Sequence, residues 1–220
     1  MSWSERAASS LLPLSLAKHL RAALAEWRYT GSFFDLEEPQ EVCQLCGQED
    51  LRYQFEIYNP LTKHALLIGS ECIKRFEISG IDDEGRSLSA EDTARLVDRH
   101  RRHLVEDART RRVMTSLLKL SSKASDFDAL SFISYVDDRG AFTPKQLALI
   151  FWQMGRHGIT YRPRDYKLTI RRNREKAQLR ELSGPAFQRV LPAMTPSQLA
   201  WMRKIEGRFA SYGQTWRGAS

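Results

Sequence analysis

The chain has 220 residues, 42% of them hydrophobic, a formal net charge of +7 and a pI near 9.5. That apolar content supports a core and excludes wholesale disorder, and the length suits one domain with an appendage or two small domains. No run of about 18 apolar residues is present, so no helix spans a membrane, and three cysteines make no disulfide framework, which fits a reducing cytoplasm.

The N-terminal MSWSERAASSLLPLSLAKHL has only a short apolar stretch, interrupted by Pro13, and reads as folded sequence rather than a signal peptide. Leu16, Leu20, Leu24 and Trp27 recur at helical spacing and predict an amphipathic helix over about 14–28. YTGSFFDLEEPQEV, with Gly31 and Pro39, is expected to break it. In LRYQFEIYN, Leu51, Tyr53, Phe55 and Ile57 alternate with Arg52, Gln54 and Glu56, the period of a half-buried strand. NPLTKH is a turn, ALLIG a short second strand, and SECIKRF opens a helix.

Ser89 and Asp92 form a capping pair for a long helix from about 90 to 120. A further helix covers FDALSFISYV and stops at DDRG. FTPKQLALIFWQMG and MTPSQLAWMRK share one start device, Thr at the N-cap, Pro at the first helical position and Gln completing a capping box. The repeat reads as two independently capped helices or a duplicated unit. DYKLTIRR places Tyr166, Leu168 and Ile170 on one side and Lys167, Thr169 and Arg171 on the other, a strand with one basic face. NREKAQLREL returns to helix, and the tail SYGQTWRGAS is expected to be loose.

All three cysteines lie in one module. Cys43 and Cys46 form C-x-x-C followed by Gly47, a knuckle on which two sulfurs converge; Cys72 returns after the hairpin at a helix start. Knuckle, hairpin and helix-start ligand are the layout of a treble-clef zinc finger, so Zn2+ is the expected cofactor. For the fourth ligand the sequence offers His64 at the hairpin tip, His100 or His103 on the following helix, Ser70, or water. Three ligands plus water is also the catalytic arrangement. A deaminase needs H-x-E before P-C-x-x-C, which is lacking, as are H-E-x-x-H, G-x-x-x-x-G-K-[ST] and G-x-S-x-G. The metal is therefore read as structural, stapling a module too small to fold on its core alone.

Charge is divided along the chain. Residues 1–90 carry 9 Lys+Arg against 14 Asp+Glu, net −5; residues 91–220 carry 25 against 13, net +12. The basic half is the expected polyanion binder. One stretch includes Arg101, Arg102, Arg109 and Arg112 on the long helix. A denser one includes Arg162, Arg164, Lys167, Arg171, Arg172 and Arg174, interleaved with Tyr161 and Tyr166. Arginine forks take phosphates bidentately and aromatics stack on bases. The expected class is α+β and mostly α: an N-terminal helix with a zinc module over 1–88, then a basic helical nucleic-acid-binding domain over 89–220.

The segment CQLCG…LRYQFEI…N…LLIGSECIKRF resembles small bacterial zinc proteins of plasmids, phages and defence loci. Within that setting it resembles the zinc-finger subunit of type IV CRISPR effector complexes, the one standing in for a large subunit. The resemblance covers Trp27 to about Phe76. It implies Cys43, Cys46 and Cys72 as zinc ligands, no nuclease activity, and partners comprising guide RNA at its 5′ end, the duplex beside the target, and other effector subunits. Ser70 stands where a four-cysteine finger has a ligand. Two other readings are a stand-alone single-stranded-DNA-binding protein of a plasmid or phage, and a zinc-dependent nuclease.

Overall fold

The computed structural model describes residues 2–210; the tail expected to be loose, 211–220, lies outside the described residues. The backbone clusters into two units, Met1–Ala108 and Arg109–Ser220, dividing inside the long helix, whereas the sequence reading placed the boundary before it, at 88/89.

In the first unit, helix α1 (Trp3–Leu11) starts at a reciprocal cap: the Ser2 hydroxyl accepts from the Glu5 N–H and the Glu5 carboxylate accepts from the Ser2 N–H. The helix expected over 14–28 shrinks to the five residues of α2 (Leu20–Leu24). The backbone is extended at Ser15 and His19, and between them the Glu26 carboxylate accepts the N–H groups of Leu16 and Ala17 at 2.9 and 2.7 Å. Buried Trp27 donates its indole N–H to Ser15 Oγ at 2.9 Å. Leu16, taken as core by its spacing, is 62% exposed.

The segment expected to be a break is strand β1 (Arg28–Asp35). It pairs antiparallel with β2 (Tyr53–Asn59), which pairs antiparallel with β3 (His64–Ile68), giving the order β1-β2-β3. The register of β1 shifts between Tyr29 and Phe33, where Gly31 has φ +87°, a conformation that favours glycine. At the β2–β3 turn the buried Asn59 side chain accepts the Leu61 N–H at 2.9 Å and donates to Glu26 at 2.8 Å. Helix α3 (Ser70–Arg75) follows β3, so the predicted hairpin and helix are present. Trp27, Tyr29, Leu45, Phe55, Ile57, Ile68 and Ile73 build the core together with all three cysteines.

The long helix α4 (Ala90–Lys123) begins beside Ser89, whose Oγ accepts the Asp92 N–H. In the second unit follow α5 (Ala129–Arg139), α6 (Pro144–Arg156), α7 (Asn173–Arg180), α8 (Gly184–Val190) and α9 (Pro196–Ala210). Both predicted Thr/Gln capping boxes form, Thr143 with Gln146 and Thr195 with Gln198. The strand predicted in DYKLTIRR reduces to one parallel bridge, Phe142 with Leu168, preceded by a short 3-10 turn at Pro163–Asp165. Its alternation survives, with Tyr166, Leu168 and Ile170 buried and Lys167 and Arg171 exposed. Leu117, Leu120, Phe142, Leu147, Phe151, Met154 and Val190 fill this core. The protein is thus α+β and mainly α, with three cysteines beside a small antiparallel sheet.

Candidate functional site

The cysteines converge because three local structures aim them at one point. Gly47, at φ +71°, closes the knuckle: its N–H reaches the Cys43 carbonyl at 2.8 Å, and the Cys43 N–H reaches the Gln48 carbonyl at 2.8 Å. Gln44 locks the knuckle to β3, its N–H and side-chain oxygen bonding the Leu67 carbonyl and N–H at 3.1 and 2.6 Å. Cys72 enters from the first turn of α3, and the Gly69 N–H before that turn points at Cys43 Sγ from 3.4 Å.

The three Sγ atoms lie within 4.8 Å of one another, and Cys43 and Cys72 are 3.7 Å apart. A disulfide needs about 2 Å between sulfurs. A tetrahedral metal with metal–sulfur bonds of about 2.3 Å places its ligands about 3.8 Å apart. The spacing fits the second case, and the cluster could hold a metal ion. All three are at most 2% exposed. The thiol–thiol contact with Cys72, against the opposing effect of burial and with help from the Gly69 N–H, draws Cys43 down to about 5. The same contact, then burial, pushes Cys72 up, while burial chiefly pushes Cys46 up.

Among the described residues this cluster contains the three cysteines and no histidine or carboxylate. His64 is exposed at the start of β3, opposite Asn59. His100 is occupied elsewhere: its Nδ1 is 2.6 Å from the Tyr29 hydroxyl and its ring stacks on Phe33 at 4.4 Å between centroids. Burial, then the nearby Arg99 charge, lowers its pKa. His103 Nδ1 lies 2.7 Å from Asp107. Ser70 stays beside the cysteines, on the wall of an open cleft of about 470 Å3 that also touches Asp50 and Glu71. No sequence signal pointed to this cleft, because its walls come from segments far apart in the chain.

The predicted nucleic-acid contacts divide into two groups. Arg162, Arg164, Lys167, Arg171, Arg172 and Arg174 are exposed in the second unit, and Arg101 and Arg102 are exposed in the first. Arg109 and Arg112 are half-buried and carry a structural load. Arg109 donates to the carbonyls of Asp165 and Arg164 at 2.6 and 2.9 Å, and Arg112 grips the Asp165 carboxylate with two bonds of 2.7 and 3.0 Å. Tyr166 is core, 1% exposed and bonded to Ser116, so its ring is closed to a base; burial raises its pKa. Tyr161 is half-buried and stacks on Phe151 at 4.8 Å.

Sequence reading missed Glu175. It is 8% exposed, and its Oε2 accepts the N–H groups of Arg171 and Arg172 at 2.6 and 2.9 Å and the Thr169 hydroxyl at 2.9 Å. One buried carboxylate thus pins the turn from which Arg171, Arg172 and Arg174 project into solvent. The signal was present as an acidic residue three places into a helix within an otherwise basic run. Comparison with protein-family models, with curated proteins and with solved structures finds no match to this chain.

Proposed function

We propose that this protein is a non-catalytic nucleic-acid-binding protein, its first unit stapled by zinc and its second gripping the sugar-phosphate chain. The observation that carries the reading is the arginine turn. Arg171, Arg172 and Arg174 are solvent-facing on a backbone fixed by a buried carboxylate, so their ordering cost is lowered before a phosphate arrives. The donor set supports zinc: three soft sulfurs within 4.8 Å of one another, two of them 3.7 Å apart, suit it better than harder cations. A structural role follows from their place inside the apolar core with Leu45, Phe55 and Ile73. In its finer form, supported by the sequence resemblance, the protein is a subunit of a type IV CRISPR ribonucleoprotein. There base pairing selects the target and this chain holds the guide end and the flanking duplex.

Binding to a labelled oligonucleotide, titrated across salt, tests the general reading. Exchanging both Arg171→Glu and Arg172→Glu is expected to weaken binding and to reduce the slope of log K against log salt by about 1.5. Salt titrations identical to wild type would reject the turn as the phosphate site. For the finer reading, a pull-down from the native host should return a discrete guide RNA and partner subunits; recovery of the chain alone would reject it.

A further inference from the structure

The cleft beside the cysteines has walls that the metal does not need. Trp3 of α1 is half-buried there, and the Arg75 guanidinium lies over its ring, 4.1 Å from the centroid. Arg52 lies over the Tyr53 ring at 5.2 Å and is held by Asp35 at 2.8 Å. Arg101 of α4 completes the wall. Arg75 and Arg101 are both exposed and, among the described residues, neither pairs with a carboxylate. Of the cleft's own acids, Glu71 is reached by Lys74 at 3.5 Å, which leaves Asp50.

Two cations without carboxylate partners, a guanidinium backed by an indole, and a volume of about 470 Å3 make a chemically specific combination. The size falls within the roughly 300–1,000 Å3 of small-ligand sites. Guanidinium planes and indoles stack on nucleobases, and a second arginine takes a phosphate. A purely anionic ligand would not use Trp3 and Tyr53, and an apolar one would leave Arg75 and Arg101 desolvated.

We propose that this cleft is a second nucleic-acid contact, which holds one nucleotide of a single strand with its base stacked on the Arg75–Trp3 pair and its phosphate on Arg101. The site rests on the proposed nucleic-acid reading and adds to it a contact on the zinc-bearing unit. The metal shapes it, because Cys72 and Arg75 lie on α3 together and Cys43 and Cys46 line the same wall.

The test uses the full zinc-loaded chain with a fluorescent twelve-residue oligothymidylate carrying 5-iodouracil. Affinity is read by anisotropy and contact by photocrosslinking with peptide mapping. The expected result is a crosslink to the peptide containing Trp3 or Arg75. Combining Arg75→Glu with Arg101→Glu should abolish that crosslink and weaken binding roughly ten-fold, with zinc content unchanged. Arg171→Glu with Arg172→Glu should weaken binding while the Trp3 crosslink persists at saturation. If crosslinks map only to 156–176 and the cleft variant titrates as wild type, the cleft is no contact and the arginine turn stands. If wild type ignores the oligonucleotide in dilute buffer, both readings fall. If thymidine monophosphate competes equally per nucleotide, the cleft takes free nucleotides and the strand proposal is overturned.

Discussion

Replacing Glu175 with alanine removes the single acceptor shared by the Arg171 N–H, the Arg172 N–H and the Thr169 hydroxyl, at 2.6, 2.9 and 2.9 Å. Bonds to a charged acceptor contribute about 1.5–3 kcal/mol each. The donors sit at an exposed turn where water replaces part of that, so about 1 kcal/mol each is a fair discount, or about 3 kcal/mol in all. For a unit of this size, a loss of that order lowers Tm by roughly 12 °C. Glu175→Gln keeps an acceptor oxygen without the charge and should cost about half as much. Burial raises the Glu175 pKa, but the Arg172 N–H, the Thr169 hydroxyl and the Arg171 N–H outweigh it and leave it below the ordinary 4.5. A depressed carboxylate stabilises fully above its unfolded pKa and loses that contribution as pH falls through the folded value. The stability gap between wild type and Glu175→Ala should therefore be complete at pH 6 and shrink below about pH 4. Thermal melts and oligonucleotide titrations at matched salt check this. Charge alone predicts tighter binding, since an anion has been removed from a basic surface; loss of the pinned turn predicts weaker binding. An unchanged Tm, or an affinity that rises, would refute the claim that Glu175 organises the arginines.

Cys43 is drawn down to about 5 while Cys46 and Cys72 are pushed up, so metal entry at pH 7 is expected to displace two thiol protons. Calorimetry in buffers of different ionisation enthalpy should count about two protons released per zinc, and a count near three would mean that the metal-free site is not preformed. His64→Ala and His100→Phe should each retain one zinc by metal analysis, because His64 is exposed on β3 and His100 is bonded to Tyr29; metal loss in either would identify the missing ligand. Arg112→Ala leaves the Asp165 carboxylate, 13% exposed, without its bidentate partner. It should lower the stability of the second unit by about 2–3 kcal/mol, read by chemical denaturation.

The elements that were legible in the sequence are those whose local signals agree. Thr143, Pro144 and Gln146 start α6 where the cap chemistry requires, and Phe55 and Ile57 alternate into β2 as a half-buried strand does. The failures have a common cause in contacts made at a distance. Leu16, Leu20 and Leu24 have helical spacing, yet the backbone is extended at Ser15 and His19, and Glu26 ties down the N–H groups of Leu16 and Ala17 between them. Gly31 read as a breaker because its positive φ serves a bulge that only pairing with β2 reveals. The three cysteines were found by spacing, whereas the tasks of His100, Arg109 and Arg112 were not, since Tyr29, Arg164 and Asp165 lie 53 or more positions away.

The division of the chain sharpens its electrostatics. Residues 1–108 hold 13 Lys+Arg against 19 Asp+Glu, net −6, and residues 109–220 hold 21 against 8, net +13. The stretch of α4 in the first unit also spends several charges within that unit: Arg95 pairs with Glu91 and Asp92, and Asp98 with Lys74 of α3. An acidic unit is repelled by a phosphate chain as a whole, so any nucleic acid it touches must be met at a local concentration of unpaired cations. Arg75 and Arg101 supply one at the cleft. The second unit has less need of such a focus, because its net charge is +13 and the Glu175-pinned turn adds to it three exposed arginines. Raised salt should therefore weaken the grip of the second unit steeply, and the stacked contact at Arg75 and Trp3 less so, since stacking is not screened. At high salt the residual crosslinks should shift toward Trp3; a uniform loss at both sites would show that the cleft contributes charge alone.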